Sequence, residues 1–179
     1  MTSPDDLDGL RVVAHPLRVR LLSLLTAESM SAAEAARALA ESQSNVSYHL
    51  RRLAHAGLVH LVEETRVRGG AAKRYRHDPA SGEQLASGDS DQLRALMTTL
   101  SAELLRRTPR YEPGTPFAFT DAEVYLSSES WDRVQELARE VGRVIHDEAV
   151  PDGTPGARRI GATMALFAVT PLAADTAMS

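Results

Sequence analysis

Apolar positions recur at helical spacing through four consecutive stretches, then switch to strand spacing before Asp78. The first stretch is Asp6 to His15, with Leu7, Leu10 and Val13 or Ala14 on one side. His15-Pro16 breaks it, and Pro16 suits the first position of a second helix over Leu17–Thr26, with Leu17, Leu21, Leu24 and Leu25 inward. Ser31-x-x-Glu34 is a capping box for a third helix, whose apolar side is Ala35, Ala38 and Leu39. After the tight turn at Glu41–Ser44, Ser42 caps a fourth helix that buries Val46, Leu50 and Leu53 and stops at Gly57, which suits a left-handed C-cap. The run from Leu58 to Glu64 and the later Tyr75–His77 read as two strands of a hairpin around the basic, Gly-Gly-containing loop TRVRGGAAKR.

The second half is patterned differently. Asp78–Asp91 is a polar linker rich in Gly and Ser. A helix over Ser90–Arg107 carries Leu93, Leu96, Met97, Leu100 and Leu104 in a stripe close to a heptad seam. Phe117–Leu126 alternates as a strand, Ser127 caps a helix from Ser128 to about Glu148, and Arg158–Pro171 alternates again before becoming apolar throughout. Strand, helix, strand predicts a small α/β module.

The outer face of the fourth helix carries Ser44, Ser47, Tyr48, Arg51 and Arg52, with Gln43 and Asn45 in its first turn. A merely solvated helix would carry Glu and Lys there. Short polar groups and guanidiniums suit a major groove, where they reach base edges and phosphates. Arg66, Arg68, Lys73 and Arg74, at or near the hairpin tip, are placed to grip phosphate. Arg18 and Arg20 read best as a solvated helix face.

Ser42-Gln43-Ser44-x-Val46-Ser47-x-His49-Leu50-x-x-Leu53, followed by Ala56-Gly57-Leu58-Val59, resembles the recognition helix of bacterial regulators of the arsenic-repressor (ArsR) type. The segment AHPLRVRLLSLL resembles the same family's entry segment. The resemblance covers Leu7 to His77 and implies an α+β fold: a winged helix-turn-helix domain over 1–80, a linker over 81–89, and a dimerisation helix with a small α/β module over 90–179. It also implies His49 as a recognition-helix residue and a homodimer that pairs through Leu7, Leu10, Leu93, Leu96, Leu100 and Leu104. The expected partner is double-stranded DNA carrying an inverted-repeat operator, and repression is the more common outcome in the family. An ordinary intrachain packing helix remains the alternative for the Ser90–Arg107 stripe.

Composition refines this picture. The 179 residues carry a net charge of −4, yet Ser42–His77 holds seven basic residues against Glu63 and Glu64, about +5. The acidic excess lies elsewhere, so a basic reading surface is compatible with the overall charge. With no cysteine there is neither a disulfide nor a soft-metal site, which fits a reducing cytoplasm. No apolar run reaches the roughly 20 residues that span a bilayer, and no signal peptide opens the chain, so no membrane partner is expected. His146-Asp147-Glu148 has no second His at ligand spacing, so no metal or other cofactor is expected. Without a phosphate loop, an HExxH or a nucleophile elbow, no catalytic residues are assigned and the chain is read as a non-enzyme. Tyr111, Phe117, Phe119, Tyr125, Trp131 and Phe167 are candidates to line a pocket for a small organic effector, or simply the core of their module. The competing functions are a DNA-binding regulator with no ligand of its own, and a protein-interaction module derived from the same domain.

Overall fold

The computed structural model describes residues 9–67, 70–78, 81 and 89–170. Of the first stretch, expected as a helix over Asp6–His15, the described residues form a 3-10 turn at Gly9–Val12 and no helix over 13–15, with Leu10 half-buried and Val12 and Val13 buried; residues 6–8 lie outside the described residues. Leu7 and Arg68 lie outside the described residues.

Helix α1 spans Pro16–Leu24 and begins as expected at Pro16. His15 is its N-cap, the imidazole Nδ1 accepting from the Leu17 amide at 3.2 Å. Leu17 and Leu21 turn inward, and Leu25 just beyond the helix joins them. Helix α2, Ala32–Leu39, opens with the predicted capping box: the Glu34 amide donates to Ser31 Oγ at 3.3 Å, and the Ser31 amide to Glu34 Oε2 at 2.8 Å. Its buried side is Ala35 and Ala36; Ala38 is exposed, a correction to the expected stripe. The helix stops at Ala40, whose backbone is left-handed at φ 55°.

Helix α3 spans Gln43–His55 under the Ser42 cap, with the Asn45 amide donating to Ser42 Oγ at 3.2 Å. Its C-terminus is a Schellman motif. Gly57 takes φ 72°, its amide donates to Ala54 O at 3.1 Å, and the Leu58 amide reaches back to Leu53 O at 2.9 Å. That closure buries Leu58 against the helix it ends.

Strands β2 (Val59–Val67) and β3 (Gly70–His77) form the hairpin, closing at Val67↔Gly70. A bulge between Leu61 and Glu63 sets Val62 outside the pairing and sharpens the twist. A two-residue strand β1, Met30–Ser31, was not expected; it pairs antiparallel with β3 to give the order β1-β3-β2. At the base of the hairpin the His77 amide donates to Leu25 O at 3.1 Å, and His77 Nδ1 lies 3.2 Å from Thr26 Oγ1. Burial first, then the neighbouring His146, lowers the His77 pKa to about 4.

The core gathers Val12, Val13, Leu17, Leu21, Leu25, Ala35, Ala36, Val46, Leu50, Leu53, Leu58 and Val59. Helix α4, Ser90–Arg107, lies across the 3-10 turn and α1, and its Leu96 packs against this core. The helix placed in the second unit by sequence therefore completes the first. Thr99 and Glu103 are its buried positions, Glu103 held by Arg106 at 2.7 Å. Leu93 and Leu100 are half-buried, and Leu104 is 52% exposed.

Helix α5, Ser128–Asp147, starts under its Ser127 cap as expected. The flanking strands do not form: among the described residues no strand follows His77, and 117–126 and 158–170 run without ladder partners. The expected α/β module is thus corrected to one amphipathic helix between two unpaired segments. No described residue after Glu103 is buried. Alternation marks a chain able to sit on a two-faced sheet, but a strand exists only once another strand supplies its hydrogen bonds. Local ties remain. Arg107 Nη1 donates to Ala162 O at 3.0 Å, and His146 Nε2 lies 3.3 Å from His77 Nδ1. No helix among the described residues is long and apolar enough to cross a membrane.

Candidate nucleic-acid interface

The interface is built on α3 because burying Val46, Leu50 and Leu53 forces the opposite side outward. Gln43, Ser44, Asn45 and Arg51 are exposed, Ser47 and Arg52 are half-buried, and Tyr48 is 47% exposed. No acidic residue occurs in α3, so its outward face is uncharged or cationic. The Arg52 guanidinium lies 6.0 Å from the centre of the Tyr48 ring, at the outer limit of a cation-π contact. Ser42 Oγ and Ser44 Oγ are 3.2 Å apart, and Asn45 Nδ2 donates to Glu41 Oε2 at 3.3 Å. Asn45 is therefore partly committed to the turn before the helix.

His49 does not share this face. It is 7% exposed, its ring 4.4 Å from His15 and 5.1 Å from Tyr48. Burial lowers its pKa to about 4, aided by the charges of His15 and Arg18, so it is neutral at pH 7. His49 lies between α3 and α1, which sets it apart from the exposed residues of the outward face.

The hairpin flanks α3. Lys73 is exposed on β3 opposite Glu64, and Arg66 is opposite Ala71 near the closed end of the ladder. Arg74 is placed differently from the sequence expectation. Its Nη1 donates to Glu34 Oε1 at 2.9 Å and to Oε2 at 2.7 Å, its Nη2 to Ser29 O at 2.6 Å, and Glu63 lies 3.9 Å from its Nε. The Ser31 amide first, then Arg74, holds the Glu34 carboxyl down to about 2. Arg74 thus clamps the hairpin to the start of α2, a partner that the sequence reading does not assign to it. The signal for this was present but unreadable: Glu34 already had a local partner in its capping box, and Arg74 lies 40 residues away.

The other expected sites separate. Leu96 belongs to the core, and Leu104 faces outward. The aromatic residues assigned to an effector pocket do not come together. Tyr111, Phe117, Phe119, Tyr125 and Phe167 are exposed, Tyr125 by 84%, and only Trp131 is half-buried. The single aromatic contact among them stacks Phe117 on Phe119 at 6.3 Å. The sequence pattern gathered them because it assumed a sheet that does not form.

Residues 13–62 match a family model described as a helix-turn-helix domain. One solved structure, described as the crystal structure of a possible transcriptional regulator for arsenical resistance, is 29% identical over 59% of this chain and 98% of its own, with a TM-score of 0.33. No curated protein matches. The matched residues cover α1, α2, α3 and the start of β2, and with the hairpin that follows they form a winged helix-turn-helix, a unit of DNA-binding regulation.

Proposed function

We propose that the protein is a sequence-specific transcriptional regulator that acts as a homodimer on an inverted-repeat operator, more often as a repressor, in the bacterial cytoplasm. The observation that carries this is the acid-free outward face of α3 beside the cationic hairpin, on the helix-turn-helix segment. In this arrangement Gln43, Ser44, Ser47 and Tyr48 read base edges, while Arg51, Arg52, Arg66, Arg68 and Lys73 contact phosphates. A 13-residue helix reads one half-site, so two copies about 34 Å apart would read a palindrome. The exposed Leu104, and the apolar side chains left uncovered after Glu103, give a second copy surface to cover.

A regulator with no ligand of its own is the second reading, and a specific observation favours it over effector release: apart from the Phe117–Phe119 stack and the half-buried Trp131, the aromatic residues stand exposed without contact to one another. Selection of bound duplexes from fragmented genomic DNA tests the function directly. Recovery of an inverted repeat with major-groove-width half-sites is the expected result. Sequence-independent recovery at low salt alone would reject it.

A further inference from the structure

On the premise, proposed above, that α3 faces DNA, we infer that Arg18 is a preformed socket for one backbone phosphate beside the recognition helix. Arg18 sits in the first turn of α1 and is only 6% exposed. Its Nε is buried and has no hydrogen-bond partner. Among the described residues no acid pairs with its guanidinium; the groups that act on it are burial, Arg52 and Tyr48. His15 and His49 stand on the same side and both feel its charge. Glu41, whose charge acts on His15 and His49, is engaged with Asn45 at 3.3 Å and lies 3.9 Å from Arg20.

A guanidinium keeps its proton under all ordinary conditions, so it cannot escape burial by neutralising as a lysine can. Buried charges are otherwise paired, because removing one from water without a counterion is costly. The other arginines of this domain that are drawn toward the protein follow that rule. Arg20, two residues on, also has a buried Nε without a hydrogen-bond partner, but its Nη2 donates to Leu39 O at 3.1 Å and its Nη1 lies 3.9 Å from Glu41; Arg74 is chelated by Glu34. Of these three, Arg18 is the one with no acid within ion-pair distance among the described residues.

Three features select a phosphate diester as that anion. The site lies at the positive N-terminal end of α1, where anions are favoured. The planar fork of a guanidinium matches two phosphate oxygens. Its neighbours Tyr48 and Arg52 belong to the outward side of α3, so a strand backbone lying along α3 passes the socket. Sequence alone placed Arg18 among solvated side chains because its spacing on α1 does not reveal that α3 covers it.

The test compares the full-length wild type with Arg18→Met and Arg18→Lys. Methionine keeps an apolar stem of similar length and removes the charge. Binding to a selected operator and to an unrelated duplex is followed by fluorescence anisotropy across a potassium chloride series. Arg18→Met is expected to weaken both duplexes about tenfold, as for one charge-assisted hydrogen bond. Its log–log salt slope should be shallower by about 0.9 for each subunit bound. Its melting temperature without DNA should equal or exceed that of the wild type, since an unpaired buried charge has been removed. Arg18→Lys should retain most of the slope with intermediate affinity. An unchanged slope and affinity in Arg18→Met, with the wild type binding normally, would overturn the socket and leave the proposed function standing. A lowered melting temperature that accounts for the lost binding would make Arg18 structural and overturn it too. If millimolar inorganic phosphate stabilises the wild type but not Arg18→Met while DNA slopes agree, the ligand is free phosphate and the DNA assignment fails. Absence of any salt-dependent duplex binding by the wild type would overturn both readings.

Discussion

Replacing Glu34 with Gln separates the two roles that Glu34 combines. Gln can still accept from the Ser31 amide and keep the capping box. It cannot answer the charge of Arg74, which reaches across from β3 at 2.7 and 2.9 Å. The Glu34 carboxyl is lowered from 4.5 to about 2. That is about 2.5 units, which at 1.36 kcal/mol each would set a ceiling near 3.4 kcal/mol. Glu34 is 36% and Arg74 29% exposed, so solvent screens the pair. Part of the shift also belongs to the capping bond, which the variant keeps. A loss of about 1–1.5 kcal/mol at pH 7 is expected for Glu34→Gln. A depressed carboxyl contributes stability that is complete above its unfolded pKa and vanishes as pH falls through its folded value. The difference between wild type and variant should therefore be full above about pH 5 and shrink toward zero near pH 2. Urea unfolding measured at several pH values reads this directly, a midpoint shift of about 0.5–1 M at neutral pH. A difference that stays constant from pH 7 down to 2.5 would show that the ion pair contributes nothing and that the variant acts through packing alone.

Three further outcomes are expected. Gln43→Ala should relax base preference at one operator position, costing about 1–3 kcal/mol there, with identical selected-site profiles counting against α3 as the reader. Neutralising Arg66, Arg68 and Lys73 together should lower the salt slope by up to about 2.7 per subunit without changing the melting temperature, whereas Arg74→Met should lower stability first. Leu104→Asp, at an exposed site, should leave the fold intact; if α4 pairs two copies, sedimentation at micromolar concentration should shift from dimer to monomer, and a wild type that sediments as a clean monomer would remove the dimer from the proposal.

Much of the first 77 residues was determined by local chemistry, and there the sequence was sufficient. Ser31 and Ser42 cap the helices assigned to them, Pro16 opens α1 and Gly57 closes α3, because each of these signals acts within four residues of itself; Ser127 does the same for α5 farther along the chain. The inward faces of α1 and α3 followed from period alone. What the tertiary structure decided is who meets whom. β1 has two residues and no period, and exists only because Tyr75 and Arg74 pair with it. Arg74 looked like one more cation of the hairpin until α2 brought Glu34 to it. His49 and Arg18 carry polar labels but lie between α1 and α3, where packing of Leu17, Leu50 and their neighbours leaves them little solvent. Beyond α4 the limit is plainest. Alternation over 117–126 and 158–170 states that those segments can present an apolar face, but a helix satisfies its backbone within itself and a strand does not. The capped helix α5 therefore formed where the sequence placed it, while its two flanking strands, which meet no partner strand among the described residues, did not.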